Sequence, residues 1–146
     1  MNILIWSPFI QKVGTTSNVQ NLINSFIKFS KKDNFKIDLI NVFGEWDNYE
    51  FRDIRVNKIK LLNFKFLKES KKNGFLRSRI YTILIIILSI FPLIKVLNKK
   101  KYDFLFAHLI TSLPIFLLNF INKDIKLILN IAGFPKLTLL RSGNFP

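Results

Sequence analysis

The chain has 146 residues, the length of one domain, and 49% of them are hydrophobic, which supplies a core and excludes a disordered chain despite the high charge. Its 23 Lys+Arg outnumber 9 Asp+Glu and leave a net charge of +14, which either points to a polyanionic partner or reflects the Lys, Asn, Ile and Phe crowding of an AT-rich gene. With no cysteine the chain has neither disulfides nor a cysteine metal site, which fits a reducing compartment.

Asn2 to Trp6 is a short apolar run closed by Ser7-Pro8 and reads as a first buried strand. It lacks a preceding basic segment and is not expected to be a signal peptide. Ser7 to Thr16 reads as a polar loop with Gly14 near its end. Ser17 with Gln20 three residues on fits a capping box. Val19, Leu22, Ile23, Phe26 and Ile27 then mark one face of an amphipathic helix ending near Lys31-Lys32.

Phe35, Ile37 and Leu39 alternate with Lys36 and Asp38, and the run continues to Phe43 as a second strand. Gly44 to Arg52 is a polar loop whose acids Glu45, Asp47 and Glu50 are expected to be solvated. Ile54 to Leu62 reads as a third strand, and Asn63 to Asn73 is ambiguous. Phe75 to Asn98 reads as a long helix. Its apolar core, Ile80 to Ile94, is bracketed by Arg77 and Arg79 before it and by Lys95, Lys99, Lys100 and Lys101 after it. A membrane span needs about 20 apolar residues, and this core is shorter and interrupted by Pro92. The helix either packs deep in an α/β core, which its all-round apolar character favours, or lies at a bilayer interface with cationic ends. Tyr102 to Ala107 reads as the fourth strand, Leu113 to Ile121 as a short helix and Ile125 to Ile131 as the fifth strand. Strands alternating with helices predict a doubly wound, mostly parallel α/β sheet.

In such sheets ligands bind beyond the C-terminal ends of the strands. Three places qualify. Gly14 either lets backbone approach a ligand at the first helix N-terminus or serves only a turn. His108 either hydrogen-bonds a sugar hydroxyl or phosphate or caps the turn after strand four. Gly133, after Ala132, either admits a ligand or allows positive φ. One histidine without cysteine argues against a zinc site, and no metal is expected. The basic residues form no regular face with interleaved aromatics, so nucleic acid is not expected as a partner.

These residues, in this order, resemble the N-terminal domain of family 4 glycosyltransferases with the GT-B fold. N-I-L-I-W-S-P-F with Gly14-Thr15-Thr16 is similar to the first strand and glycine loop of that family. Y-D-F-L-F-A-H-L is similar to its fourth strand, and I-K-L-I-L-N-I-A-G-F-P to its fifth. Phe106 stands where the family often has the first histidine of an H-x-H pair, and Ala132 stands where it often has one before glycine.

The resemblance implies a three-layer Rossmann-like domain over residues 1–138, with 139–146 an irregular tail that reads as a truncation. It implies substrate contacts from Gly14, Thr15, Thr16, His108 and Gly133, with His108 the single catalytic-site histidine. It implies a lipid-linked sugar acceptor, a nucleotide-sugar donor as substrate rather than a bound cofactor, and a donor-binding domain encoded separately, without which the chain is inactive. The work of such enzymes implies a cytoplasmic location against the inner face of a membrane, with Arg77, Arg79, Lys99 and Lys100 toward anionic lipid. The rivals are a non-catalytic basic membrane-surface module and a free-standing nucleotide-binding α/β protein.

Overall fold

Four of the five strands are short apolar runs, the pattern of parallel strands covered on both faces. In the computed structural model, which describes residues 1–9, 14–29, 34–62, 75–108, 117 and 124–130, they are β1 (Asn2–Trp6), β2 (Lys36–Asn41), β4 (Phe104–His108) and β5 (Lys126–Asn130). The remaining strand, β3 (Val56–Lys60), is polar and lies at an edge of the sheet, where Lys58 and Lys60 discourage pairing with another chain. The sheet order is β3-β2-β1-β4-β5, and every pairing is parallel. The fold is therefore α/β and Rossmann-like.

Two long helices among the described residues cover the sheet. On one face α1 (Gly14–Phe29) buries Val19 and Ile23 against Ile3, Ile5, Ile37 and Leu39. On the other, α2 (Phe75–Lys99) buries Ile85, Leu93 and Leu97 against Leu4, Trp6, Ile40 and Leu105. Leu117, also helical, is buried on the α2 side. The central strands are buried on both faces, and Asp38 of β2 lies buried on the α2 side.

Three expectations are corrected. Helix α1 begins at Gly14, a turn before the Ser17 capping box, because the earlier start adds Thr16 to the buried line of Val19 and Ile23. His108 is the last residue of β4 rather than the first of a turn, since the ladder to β5 extends to a His108–Asn130 pair. Helix α2 is not buried all round: Ile80, Ile83, Leu84, Ile87 and Phe91 are exposed. The readings of 63–73, of the helix around 113–121 apart from Leu117, and of 132–146 lie outside the described residues. No helix among the described residues is long and apolar enough to cross a membrane.

Candidate functional site at the switch point

Strands β2 and β3 extend from β1 to one side, and β4 and β5 extend to the other. The order therefore reverses between β1 and β4, and the crevice beyond their C-terminal ends is where this architecture places ligands. Trp6 is paired with Ala107, so Ser7 and His108 follow at the two lips of the crevice. Side chains alternate along strands. His108 thus shares the α1 face with Phe104 and Phe106, and Ser7 shares it with Ile3 and Ile5. Helix α1 starts on this side and brings its positive dipole end there.

Both lip residues are buried, and each is 1% exposed. Neither ring nitrogen of His108 nor the Ser7 hydroxyl has a hydrogen-bond partner among the described residues. Such an orphaned polar group costs about 1–3 kcal/mol unless something satisfies it. Ser89 Oγ likewise has no partner among the described residues, but it belongs to α2, on the other face of the sheet. Burial holds the His108 pKa below its ordinary 6.5, so at neutral pH the imidazole is uncharged, with one nitrogen to donate and one to accept.

The loop after β2 holds Ser7 in place. Trp46 is fully buried and donates from Nε1 to the Ser7 carbonyl at 3.1 Å. Phe9 meets its ring edge-on at 4.9 Å, and Tyr49 lies 5.1 Å away. The loop is shaped by Gly44, whose φ of 100° suits glycine, and by Glu45. Glu45 accepts from the Val42 and Phe43 amides, each at 2.9 Å. It is buried, contrary to the expectation of a solvated acidic cluster, whereas Asp47 and Glu50 are exposed. Burial pushes its pKa up to about 7, against the downward pull of those two amides.

The two groups have opposite signs in stability. Glu45 has a raised folded pKa, so its contribution is complete below the ordinary 4.5 and is lost as pH rises through about 7. His108 has a depressed folded pKa, so its contribution is present above 6.5 and is lost as pH falls below that value. Urea midpoints followed from acid to neutral pH are expected to move in favour of Glu45→Gln, relative to wild type, as pH rises. They are expected to move against His108→Asn over the same rise. Profiles parallel to wild type would contradict both assignments.

The predicted site residues are only partly brought together. Gly14, Thr15 and Thr16 form the first turn of α1, with Thr16 buried, and His108 is at the crevice. Gly133 lies outside the described residues, as do the side chains of Arg77 and Arg79. Lys99 is exposed at the end of α2, whereas Lys100 turns its ammonium onto Asp38 at 2.8 Å. Phe106 packs on Phe26 of α1 at 5.7 Å. Ser7 and Trp46 were not singled out from sequence as site residues; the only signal for Ser7 was its place directly after an apolar run. Among the described residues no group of His, Asp and Glu is arranged to hold a metal. Protein-family profiles, curated proteins and solved structures give no match to this chain.

Proposed function

We propose that this chain is the acceptor-side half of a sugar-nucleotide-dependent glycosyltransferase, holding a sugar or sugar-phosphate at the crevice between β1 and β4. The observation that carries the reading is the pair of buried, unpartnered groups, Ser7 and His108, at the switch point and beside the first turn of α1. An uncharged imidazole and a hydroxyl suit hydroxyl-rich ligands, and a helix N-terminus suits phosphate. The similarity of the strand ends to GT-B glycosyltransferases narrows the ligand to a glycosyl substrate. His108 would orient a sugar hydroxyl, while stabilisation of the leaving diphosphate falls to a partner domain.

The test is saturation-transfer NMR of the purified chain with UDP-glucose, GDP-mannose and glucose-1-phosphate. At least one is expected to bind at the crevice, with His108→Asn weakening it about tenfold, the cost of about one hydrogen bond to a charged or strongly polar group. Ser7→Ala should weaken it less. Absence of binding by all three, or binding indifferent to His108, would sink the reading.

A second reading is favoured by α2. Its exposed residues Ile80, Ile83, Leu84, Ile87 and Phe91 fall at i, i+3, i+4, i+7 and i+11, one continuous line along the helix. The line is roughly 17 Å long, too short to span a hydrocarbon core of about 30 Å, and it suits a helix lying on a bilayer. Lys95 and Lys99 follow it toward the C-terminal end and suit anionic headgroups. This supports a peripheral position on a membrane, compatible with a lipid-linked acceptor.

A further inference from the structure

On the α2 face of the sheet, away from the crevice, the edge strand β3 and the last turns of α2 enclose a cavity of about 640 Å³. That is within the usual range of small-molecule sites. Pro92, Lys95, Val96 and Lys99 of α2 line one wall at i, i+3, i+4 and i+7, the spacing of a single helix face. Ile59 and Lys60 of β3, with Leu61 just after it, line the opposite wall. Asp38, Lys100 and Tyr102 also face it.

The charges are unbalanced. Four lysines meet one carboxylate, and that carboxylate is already committed. Asp38 Oδ2 accepts from the Tyr102 hydroxyl and the Lys100 ammonium, each at 2.8 Å, and Oδ1 accepts from Asn57 at 3.2 Å. Asp38 and Tyr102 are buried, so the cluster is fixed, and Lys100 also sits 5.3 Å over the Tyr102 ring. Lys60, Lys95 and Lys99 have no ion-pair partner among the described residues. Cations at a helix C-terminus offset the helix dipole, which accounts for Lys99. The dipole does not account for Lys60, which comes from a strand on the other wall. Lys60 of β3 and Lys95 and Lys99 of α2 thus line one cavity from two elements, and an anion held between the walls would offset the repulsion among them.

We infer that this cavity binds a phosphate-bearing anion, with Lys60, Lys95 and Lys99 as its contacts and Asp38 and Tyr102 positioning Lys100 at its edge. The site is separate from the crevice and stands whether or not a sugar binds there. A soluble phosphate and a lipid headgroup present the same chemistry, and the cavity lies at the lysine end of the exposed α2 line.

The test is calorimetric titration of the full chain with inorganic pyrophosphate, alongside cosedimentation with phosphatidylcholine vesicles doped with phosphatidic acid. Lys60→Gln combined with Lys99→Gln is expected to weaken binding about tenfold or more, the loss that follows removal of charge-assisted hydrogen bonds. Lys28→Gln with Lys36→Gln removes the same charge from exposed positions outside the cavity and is expected to leave binding unchanged. All four lysines are at the surface, so folding should survive, and shifts confined to Lys60, Lys95, Lys99 and Tyr102 resonances report the site directly. Pyrophosphate binding alone supports a soluble ligand; Lys60-dependent vesicle binding alone supports a lipid. Equal losses in both double variants, or binding in neither arm, would overturn the inference.

Discussion

Asp38→Ala is expected to lower unfolding stability by about 3 kcal/mol, a drop in melting temperature on the order of 10 °C for a domain of this size. Asp38 is 4% exposed and holds three donors from two separate stretches of chain: Asn57 in β3, and Lys100 and Tyr102 in the connection between α2 and β4. Alanine would leave the Tyr102 hydroxyl buried without its acceptor, at about 1–3 kcal/mol, and would free a partly buried ammonium. The Lys100 side chain is 32% exposed, so its share is discounted for solvent screening. Burial, followed by the Asp38 carboxylate, drives the Tyr102 pKa far above its ordinary value, so the phenol remains a donor at any ordinary pH. Tyr102→Phe removes one donor while leaving the carboxylate its other two, and should cost about 1 kcal/mol. Urea unfolding with an unchanged m-value would measure both. A double-mutant cycle should show coupling between the two positions, and additive losses would mean that the hydrogen bond adds nothing.

The second large effect concerns membranes. Ile83→Glu with Phe91→Glu is expected to weaken binding to anionic vesicles by two orders of magnitude or more, since burying such side chains contributes about 1.5–3 kcal/mol each. Phe91 is 82% exposed and Ile83 is 56% exposed, so the same changes should barely alter folding stability. That separation is the test: lost binding with retained stability supports interfacial docking, and retained binding removes it. The response to salt adds a check. Raising ionic strength should weaken the lysine contribution and leave the apolar one in place.

Much of the fold was legible because parallel strands covered on both sides read as uninterrupted apolar runs. β1, β4 and β5 stood out for that reason, and β2 by its alternation. Their ends were less legible, since strand length follows the ladder of the neighbour, as with His108 opposite Asn130. Asp38 escaped notice because its alternation with apolar residues looked like a solvated face. Its partners Lys100 and Tyr102 are more than 60 residues away, and no local pattern links them. The burial of Glu45, but not of Asp47 or Glu50, depended on the turn at Gly44 and on two amides in its own loop. The bare side of α2 was hidden by composition. A stretch apolar nearly all round does not declare which side the sheet will cover.

The position of β1 constrains how the polypeptide reaches its final form. One flank joins β2, with Asn2 beside Lys36, and can close within the first forty or so residues to be synthesised. The other flank waits for β4, where Ile3 meets Phe104 across a separation of about a hundred residues. Until then the first strand exposes a row of unsatisfied amides and carbonyls on a strongly apolar segment, the kind of edge that templates aggregation. A nascent chain at this stage is expected to be a client for holding chaperones, released when Asp103 reaches the Asn2 amide and the ladder beyond it closes.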